Sequence, residues 1–414
     1  MFSSYRRLLA LPGAAAFTCY GLLSRLSFGM LGVSMLAMIA DRRGSYALAG
    51  SVSAAGLVGT AVGLPLLGRL VDRHGQARVA VPAVLLTALP RIALLFCVHG
   101  GAPDWTLFVC ALASSGGPNI GGMARARWAH LLRDDPAARH TANSLEQALD
   151  ELCFMTGPVL GILLCTRFFP EAGLLTSTVL STAGALLFAA QRRTEPPLLA
   201  SPANAPRSAV RTPGALVLVA AFLAVGMVFG SLEITTLAYL GGHGRQAAAG
   251  ALLGLLAGGS CVSGLLFGLR PARRGPVVRF LLGLAAMTGL LVLPLAAAAT
   301  GAGVGVLAAA LFTAGSGTAP TMVTGMTLLQ QVLPAGTVNE GMALAVSGIV
   351  TGISAGSAAG GLISQQAGPA AGYALAVASA ALALLITLAG SRLLHPRGSA
   401  GEPASPPAAL TADG

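Results

Sequence analysis

The chain has 414 residues, of which 55% are hydrophobic and only 9% charged, and its mean hydropathy of +0.77 excludes a water-soluble globule of this length. The net charge of +11 comes from arginine alone, since no lysine occurs. These arginines lie between apolar runs without interleaved aromatics, which excludes a nucleic-acid surface and marks them as topology signals. The cysteines at 19, 97, 110, 153, 165 and 261 all fall within apolar runs without metal-ligand or redox spacing. They read as buried, reduced, small hydrophobes, and neither a metal nor a cofactor is expected.

Arg6 and Arg7 precede an apolar run too long for a signal peptide, so that run reads as the first span. Twelve such runs follow in order, at 14–39, 46–67, 79–98, 105–123, 142–166, 172–190, 214–240, 247–268, 277–298, 302–330, 338–363 and 370–393. Runs of this length in lipid are helices. The expected fold is therefore all-α and polytopic, with twelve transmembrane helices in two pseudo-symmetric bundles. The expected organisation is a six-helix bundle over 1–190, a Pro-, Ala- and Ser-rich cytoplasmic linker at 191–213, a second bundle over 214–394 and a disordered cytoplasmic tail at 395–414. Of the 25 arginines, 19 lie in the termini and even-numbered hairpins, Arg125, Arg127 and Arg133 among them, and 4 lie on the other side. The positive-inside rule then places both termini in the cytoplasm, in a cell inner (plasma) membrane protein.

Between the second and third spans runs Gly68-Arg69-Leu70-Val71-Asp72-Arg73-His74-Gly75-Gln76-Ala77-Arg78, a charged hinge with glycines where a tight turn needs backbone freedom. The pattern Gly-x-Leu-x-Asp-Arg-x-Gly resembles the signature loop of the major facilitator superfamily of secondary transporters. Gln76 and Ala77 stand where that family usually has two basic residues, and Arg78 follows. The resemblance implies that Gly68, Asp72, Arg73, Gly75 and Arg78 form a gating loop, with Asp72 at the start of span 11 and an arginine, Arg127 or Arg133, beside it. The halves also repeat at an offset near 200: Gly68 matches Gly268, Thr141 and Asn143 match Thr337 and Asn339, and Ser115-Gly116-Gly117-Pro118 matches Ser316-Gly317-Thr318-Ala319-Pro320. Gly268-Leu269-Arg270-Pro271-Ala272-Arg273-Arg274-Gly275 repeats the hinge without its acid. Two six-span halves joined by a polar linker are the plan of that superfamily, with a binding site between them near the midplane.

In span 5, Cys153-Phe154-Met155-Thr156-Gly157-Pro158-Val159-Leu160-Gly161 resembles in part a motif of proton-coupled drug exporters in the same superfamily. Gly157 and Pro158 predict a kinked, closely packed segment. Charges inside spans must face protein or water. Arg25 lies about 16 Å into span 1 at the helical rise, and Asp150 and Glu151 lie about 12–14 Å into span 5, at the same level. Glu146 and Asp150 share one helix face, Gln147 and Glu151 the next. Arg25 is therefore expected to pair with Asp150 or Glu151, and one of these carboxylates to exchange the proton that drives transport; a permanent ion pair between the two spans is the alternative. Asn119, Glu233, Thr318 and Thr321 are candidate cavity residues, although a threonine also satisfies itself on its own helix.

The resemblance implies a secondary active transporter, with proton-coupled efflux of a small hydrophobic or amphipathic molecule as the expected activity and a proton-coupled importer as the alternative. The expected partners are a small-molecule substrate, protons and the bilayer, with no nucleic acid, and the chain is expected to be monomeric. An enzyme is not expected, because the histidines at 74, 99, 130, 140, 243 and 395 fall near surfaces and no Ser-His pair lies at midplane depth.

Overall fold

The computed structural model describes residues 3–198, 208–245, 248–269, 274–334 and 336–394. The expected tail at 395–414 and the centre of the linker lie outside these. The chain is 86% helical, with no strand among the described residues. A short α1 (Ser3–Leu9) leads into α2 (Ala14–Arg43), α3 (Tyr46–His74), α4 (Gln76–His99), α5 (Asp104–Ala113), α6 (Ile120–Leu131), α7 (Pro136–Arg167) and α8 (Ala172–Ala190). After the linker come α9 (Pro213–Gly242), α10 (Ala249–Gly268), α11 (Pro276–Ala299), α12 (Val304–Gly315), α13 (Thr318–Val332), α14 (Val338–Ala367) and α15 (Pro369–Ala389).

Eleven of these stretches are long and apolar enough to cross a membrane, with α12 and α13 counted as one. The remaining expected span, 105–123, is broken. Its first part, α5, has 10 residues. The chain then runs without helix through Ser115-Gly116-Gly117-Pro118, where two glycines and a proline without an N–H remove both helix propensity and a donor. Asn119 restarts it by accepting the Gly122 N–H at 3.1 Å, and α6 extends to Leu131. The matching site in the second half interrupts the helix only at Ser316 and Gly317.

Glycine sets the closest helix contacts. A Cβ at Gly157 would lie 2.8 Å from the Gly29 carbonyl carbon, so α7 and α2 touch backbone to backbone. The α7 helix continues through Pro158 without interruption. Gly157→Val is expected to cost about 1–3 kcal/mol by forcing these helices apart, read as a lower unfolding temperature in detergent. At the end of the bundle away from the Gly75 turn, Arg42 holds the Glu171 carboxylate through two bonds of 2.8 and 3.1 Å, joined by His99 at 3.2 Å. Partial burial raises the Glu171 pKa, but the bonds from Arg42 and His99 outweigh it, and the net value lies below that of an ordinary glutamate.

Residues 209–394 share one continuous apolar core. The first half instead has two cores, one around Phe17, Trp128 and Phe188 and one around Met38, Leu94 and Leu107. Of the six cysteines, all free, only Cys153 is buried and Cys19 is exposed, contrary to the expectation that all are buried; the apolar run that holds Cys19 also has an outward face.

Candidate functional site

Between the two cores of the first half lies a polar layer built by α2, α6 and α7. Arg125 and Trp128 are three residues apart on α6, and Glu146 and Asp150 four apart on α7, so each pair occupies one helix face. Asp150 accepts from Arg25 at 3.0 Å and from Arg125 at 2.6 Å. Glu146, fully buried, meets Arg25 at 2.7 Å and accepts the Trp128 indole N–H at 2.7 Å. The result is a closed set of two guanidinia and two carboxylates that ties three helices together.

The sequence expectation offered Arg25 two partners, Asp150 and Glu151. Asp150 meets it and Glu151 does not; Glu146 takes the second place, because the face shared by 146 and 150 turns toward α2. Glu151 is half-buried on the next face, accepts from Gln147 at 3.1 Å and pairs with no cation among the described residues. Arg125 was not anticipated here. The sequence places it in a hairpin, whereas α6 runs through it and buries both Arg125 and Arg127. The signal that could have found it is the Asn119 cap, which starts a new helix whose Arg125 and Trp128 share a face.

The hinge is narrower than its sequence suggested. Gly68 lies inside α3, and Gly75, with φ of 92°, is the single residue between α3 and α4. Gly68 serves close approach instead of a turn: a Cβ there would lie 2.6 Å from the Asn339 carbonyl oxygen. One turn on, Asp72 accepts the Asn339 N–H at 3.0 Å, the Asn339 amide at 2.8 Å and the Glu340 N–H at 2.8 Å, so its carboxylate sits on the start of α14. Neither arginine proposed beside Asp72 reaches it. Arg127 is buried against Phe188, bonded to Gln76, Gln191 and Thr194, and Arg133 is exposed with Asp134. Arg73 and Arg78 are exposed and make no ion pair among the described residues.

The repeat forms a second seam. A Cβ at Gly268 would lie 2.5 Å from Ser144 Cβ, as α10 meets the start of α7. Here the bonds come from neutral groups and one cation: the Thr141 hydroxyl donates to the Gly268 carbonyl at 2.8 Å, Tyr5 to the Leu265 carbonyl at 2.6 Å and Asn143 to Thr327 at 2.9 Å, and the Arg279 guanidinium lies 3.1 Å from His140 Nε2. Arg270 to Arg273 lie outside the described residues. The linker's described ends are docked: Glu195 accepts the Ala77 N–H at 2.9 Å, and Glu340 accepts the Ala209 N–H at 3.1 Å. Both seams lie at the end of the bundle that carries the Gly75 turn. Among the described residues, no hydrogen bond joins the halves at the other end; between the two ends the Cys261 thiol lies 4.0 Å from the Ala148 carbonyl.

Asn119 lines a cavity inside the first half. Glu233 is exposed, with no partner among the described residues. Thr318 and Thr321 are buried, and Thr321 donates to the Gly317 carbonyl at 2.7 Å while facing Gly283 of α11. For Thr321 the self-satisfied alternative therefore replaces the cavity role, because its face of α13 packs on α11.

The comparisons agree with this architecture. The family model of the Major Facilitator Superfamily matches residues 17–338. Solved structures with the same fold include a bacterial homologue of the iron transporter ferroportin in an outward-facing state, with TM-score 0.73, 18% identity, and 91% of this chain and 99% of that one covered. The human organic anion transporter MFSD10 aligns with TM-score 0.71, 16% identity, and 92% and 99% covered. The Escherichia coli fucose:proton symporter aligns with TM-score 0.63, 15% identity, and 90% and 98% covered. No curated protein sequence matches the chain. A family match over most of the chain, joined to a multi-pass helical fold, makes the chain a member of the Major Facilitator Superfamily, a transporter and not an enzyme.

Proposed function

We propose that the chain exports a small hydrophobic or amphipathic molecule by alternating access, driven by protons, with the Gly75 end facing the cytoplasm. The observation that carries this reading is the distribution of bonds between the halves, which are joined at the Gly75 end and unbonded at the other. Such an arrangement suits one of two alternating states, with a closed gate made of a few replaceable hydrogen bonds. The excess of arginine at that end supports its cytoplasmic placement.

The charges divide into two roles. The set of Arg25, Arg125, Glu146 and Asp150 is internally balanced and acts as a structural lock. Glu151 faces no cation among the described residues and lies where α7 packs on α10 of the other half, so movement of the halves changes its surroundings; it is the proton-exchanging group. In proteoliposomes under an imposed proton gradient, Glu151→Gln is expected to abolish gradient-driven accumulation of a transported amphipathic compound while leaving downhill exchange intact. Coupling that survives in Glu151→Gln would falsify its proton role. Direction is read from the sign of the gradient that drives uptake into inverted vesicles, and inward-only movement in intact cells would establish the importer instead.

A further inference from the structure

The cavity in the first half carries one positive charge more than its own residues answer. Arg25, Arg91 and Arg125 all line it, and Asp150 is the carboxylate among its lining residues. Asp150 is already held by Arg25 and Arg125, and Glu146, behind the wall, answers Arg25. Arg91 is left over. It is 8% exposed, donates to the neutral Ser181 hydroxyl at 3.0 Å and the Ser114 carbonyl at 3.3 Å, and forms no ion pair among the described residues. Its Nε has no hydrogen-bond partner among the described residues. A cation at this depth in a membrane protein is costly unless something answers its charge.

A second observation lies on the same wall. The break after α5 brings the start of α6 to the cavity, where the helix presents its positive end. Asn119 Oδ1 caps that helix, while its buried Nδ2 has no hydrogen-bond partner. Arg25 Nη2 is likewise buried and unpartnered. Three residues with unsatisfied donors thus line one space, whose other walls combine apolar Phe28, Leu64, Phe154 and Val346 with hydroxyl side chains such as Ser27, Thr60 and Thr87. The space has a volume of about 150 Å³, about the size that admits a benzene ring.

We propose that this cavity binds a small organic oxyanion, a carboxylate on a compact apolar body, with Arg91 and the Asn119 start of α6 holding the charged end. The inference rests on the reading of the chain as a small-molecule transporter and names the chemistry of its cargo. Val346 is the contribution of the second half to the lining. The carboxylate therefore belongs to the first half, while the far end of its body lies against the helix that Asp72 latches.

The test is a binding titration of the full-length protein in detergent with benzoate, with benzyl alcohol and benzylammonium as its neutral and cationic counterparts, and with inorganic phosphate. Benzoate is expected to bind and to raise the unfolding temperature, and the other three to bind about tenfold or more weakly. Arg91→Gln is expected to weaken benzoate about ten- to hundredfold, the usual effect of losing a charge-assisted bond, without lowering the unfolding temperature of the unliganded protein. Arg91→Lys keeps the preference for benzoate over benzyl alcohol. Benzoate binding no tighter than benzyl alcohol, or unchanged in Arg91→Gln, overturns the site. Phosphate binding as tightly as benzoate overturns the apolar body of the ligand. The titration needs no gradient, so Arg91-dependent benzoate binding without proton-driven movement in proteoliposomes would remove the transport reading alone.

Discussion

Asp150→Asn is expected to be the most damaging single substitution in this chain, lowering stability by about 3–5 kcal/mol. The carboxylate accepts from Arg25 at 3.0 Å and Arg125 at 2.6 Å. Its loss leaves Arg25 with Glu146 and Arg125 with no carboxylate, Gln147 Oε1 at 3.3 Å being its one remaining side-chain acceptor among the described residues. An asparagine carbonyl can accept one of those bonds but cannot answer the charge. Chemical unfolding in detergent reads the effect, and the double variant Asp150→Asn with Arg125→Gln is expected to recover part of it, because it removes a cation with the anion. A single variant within about 1 kcal/mol of the parent protein, the range of exposed ion pairs, would show that the cluster does not lock α2, α6 and α7 together. Glu151→Gln, which touches no cation, serves as the control with little change in stability.

Asp72→Asn is expected to loosen the closed gate without changing what the protein binds. The substitution replaces a carboxylate at the start of α14, which accepts two backbone N–H groups and the Asn339 amide, by a neutral group. Charged hydrogen bonds of this kind contribute about 1.5–3 kcal/mol, which corresponds to a shift in the open-to-closed ratio of about ten- to hundredfold. Cys261 reports it. Its thiol lies at the seam beside the Ala148 carbonyl, and in a background without the other five cysteines its reaction with a maleimide is expected to accelerate at least about tenfold, the lower end of that shift. Gly68→Val reaches the same end by another route, since a Cβ would meet the Asn339 carbonyl oxygen at 2.6 Å. Slower transport with unchanged ligand preference is the expected pattern for both. A changed preference would remove Asp72 from the gate and place it in the binding site.

The second seam sharpens the meaning of the first. Gly268 meets the start of α7 much as Gly68 meets the start of α14, yet Tyr5, Thr141 and Asn143 supply neutral hydrogen bonds where Asp72 supplies a charge. Removing Asp72 therefore unbalances a pair of contacts in which only one side depends on an anion at a helix N-terminus.

Hydropathy alone determined that this chain is an all-α membrane protein, because lipid leaves a backbone few other ways to satisfy itself. The hinge residues and the weak repeat marked its family, and the common level of Arg25 and Asp150 was readable from the helical rise, since those helices run unbroken from their ends. What lay beyond the sequence was set by a break and by facing. Gly116-Gly117-Pro118 ends one helix, and Asn119 begins another whose exit direction no local rule specifies, so Arg125 reads as a loop residue in the sequence and is instead the second cation on Asp150. Likewise, period and spacing showed that positions 146 and 150 share a face and that 147 and 151 share another. They could not show which face turns toward Arg25, because that choice depends on the packing of α2 and α6 around α7, a contact between segments more than 100 residues apart in the case of Arg25 and Asp150.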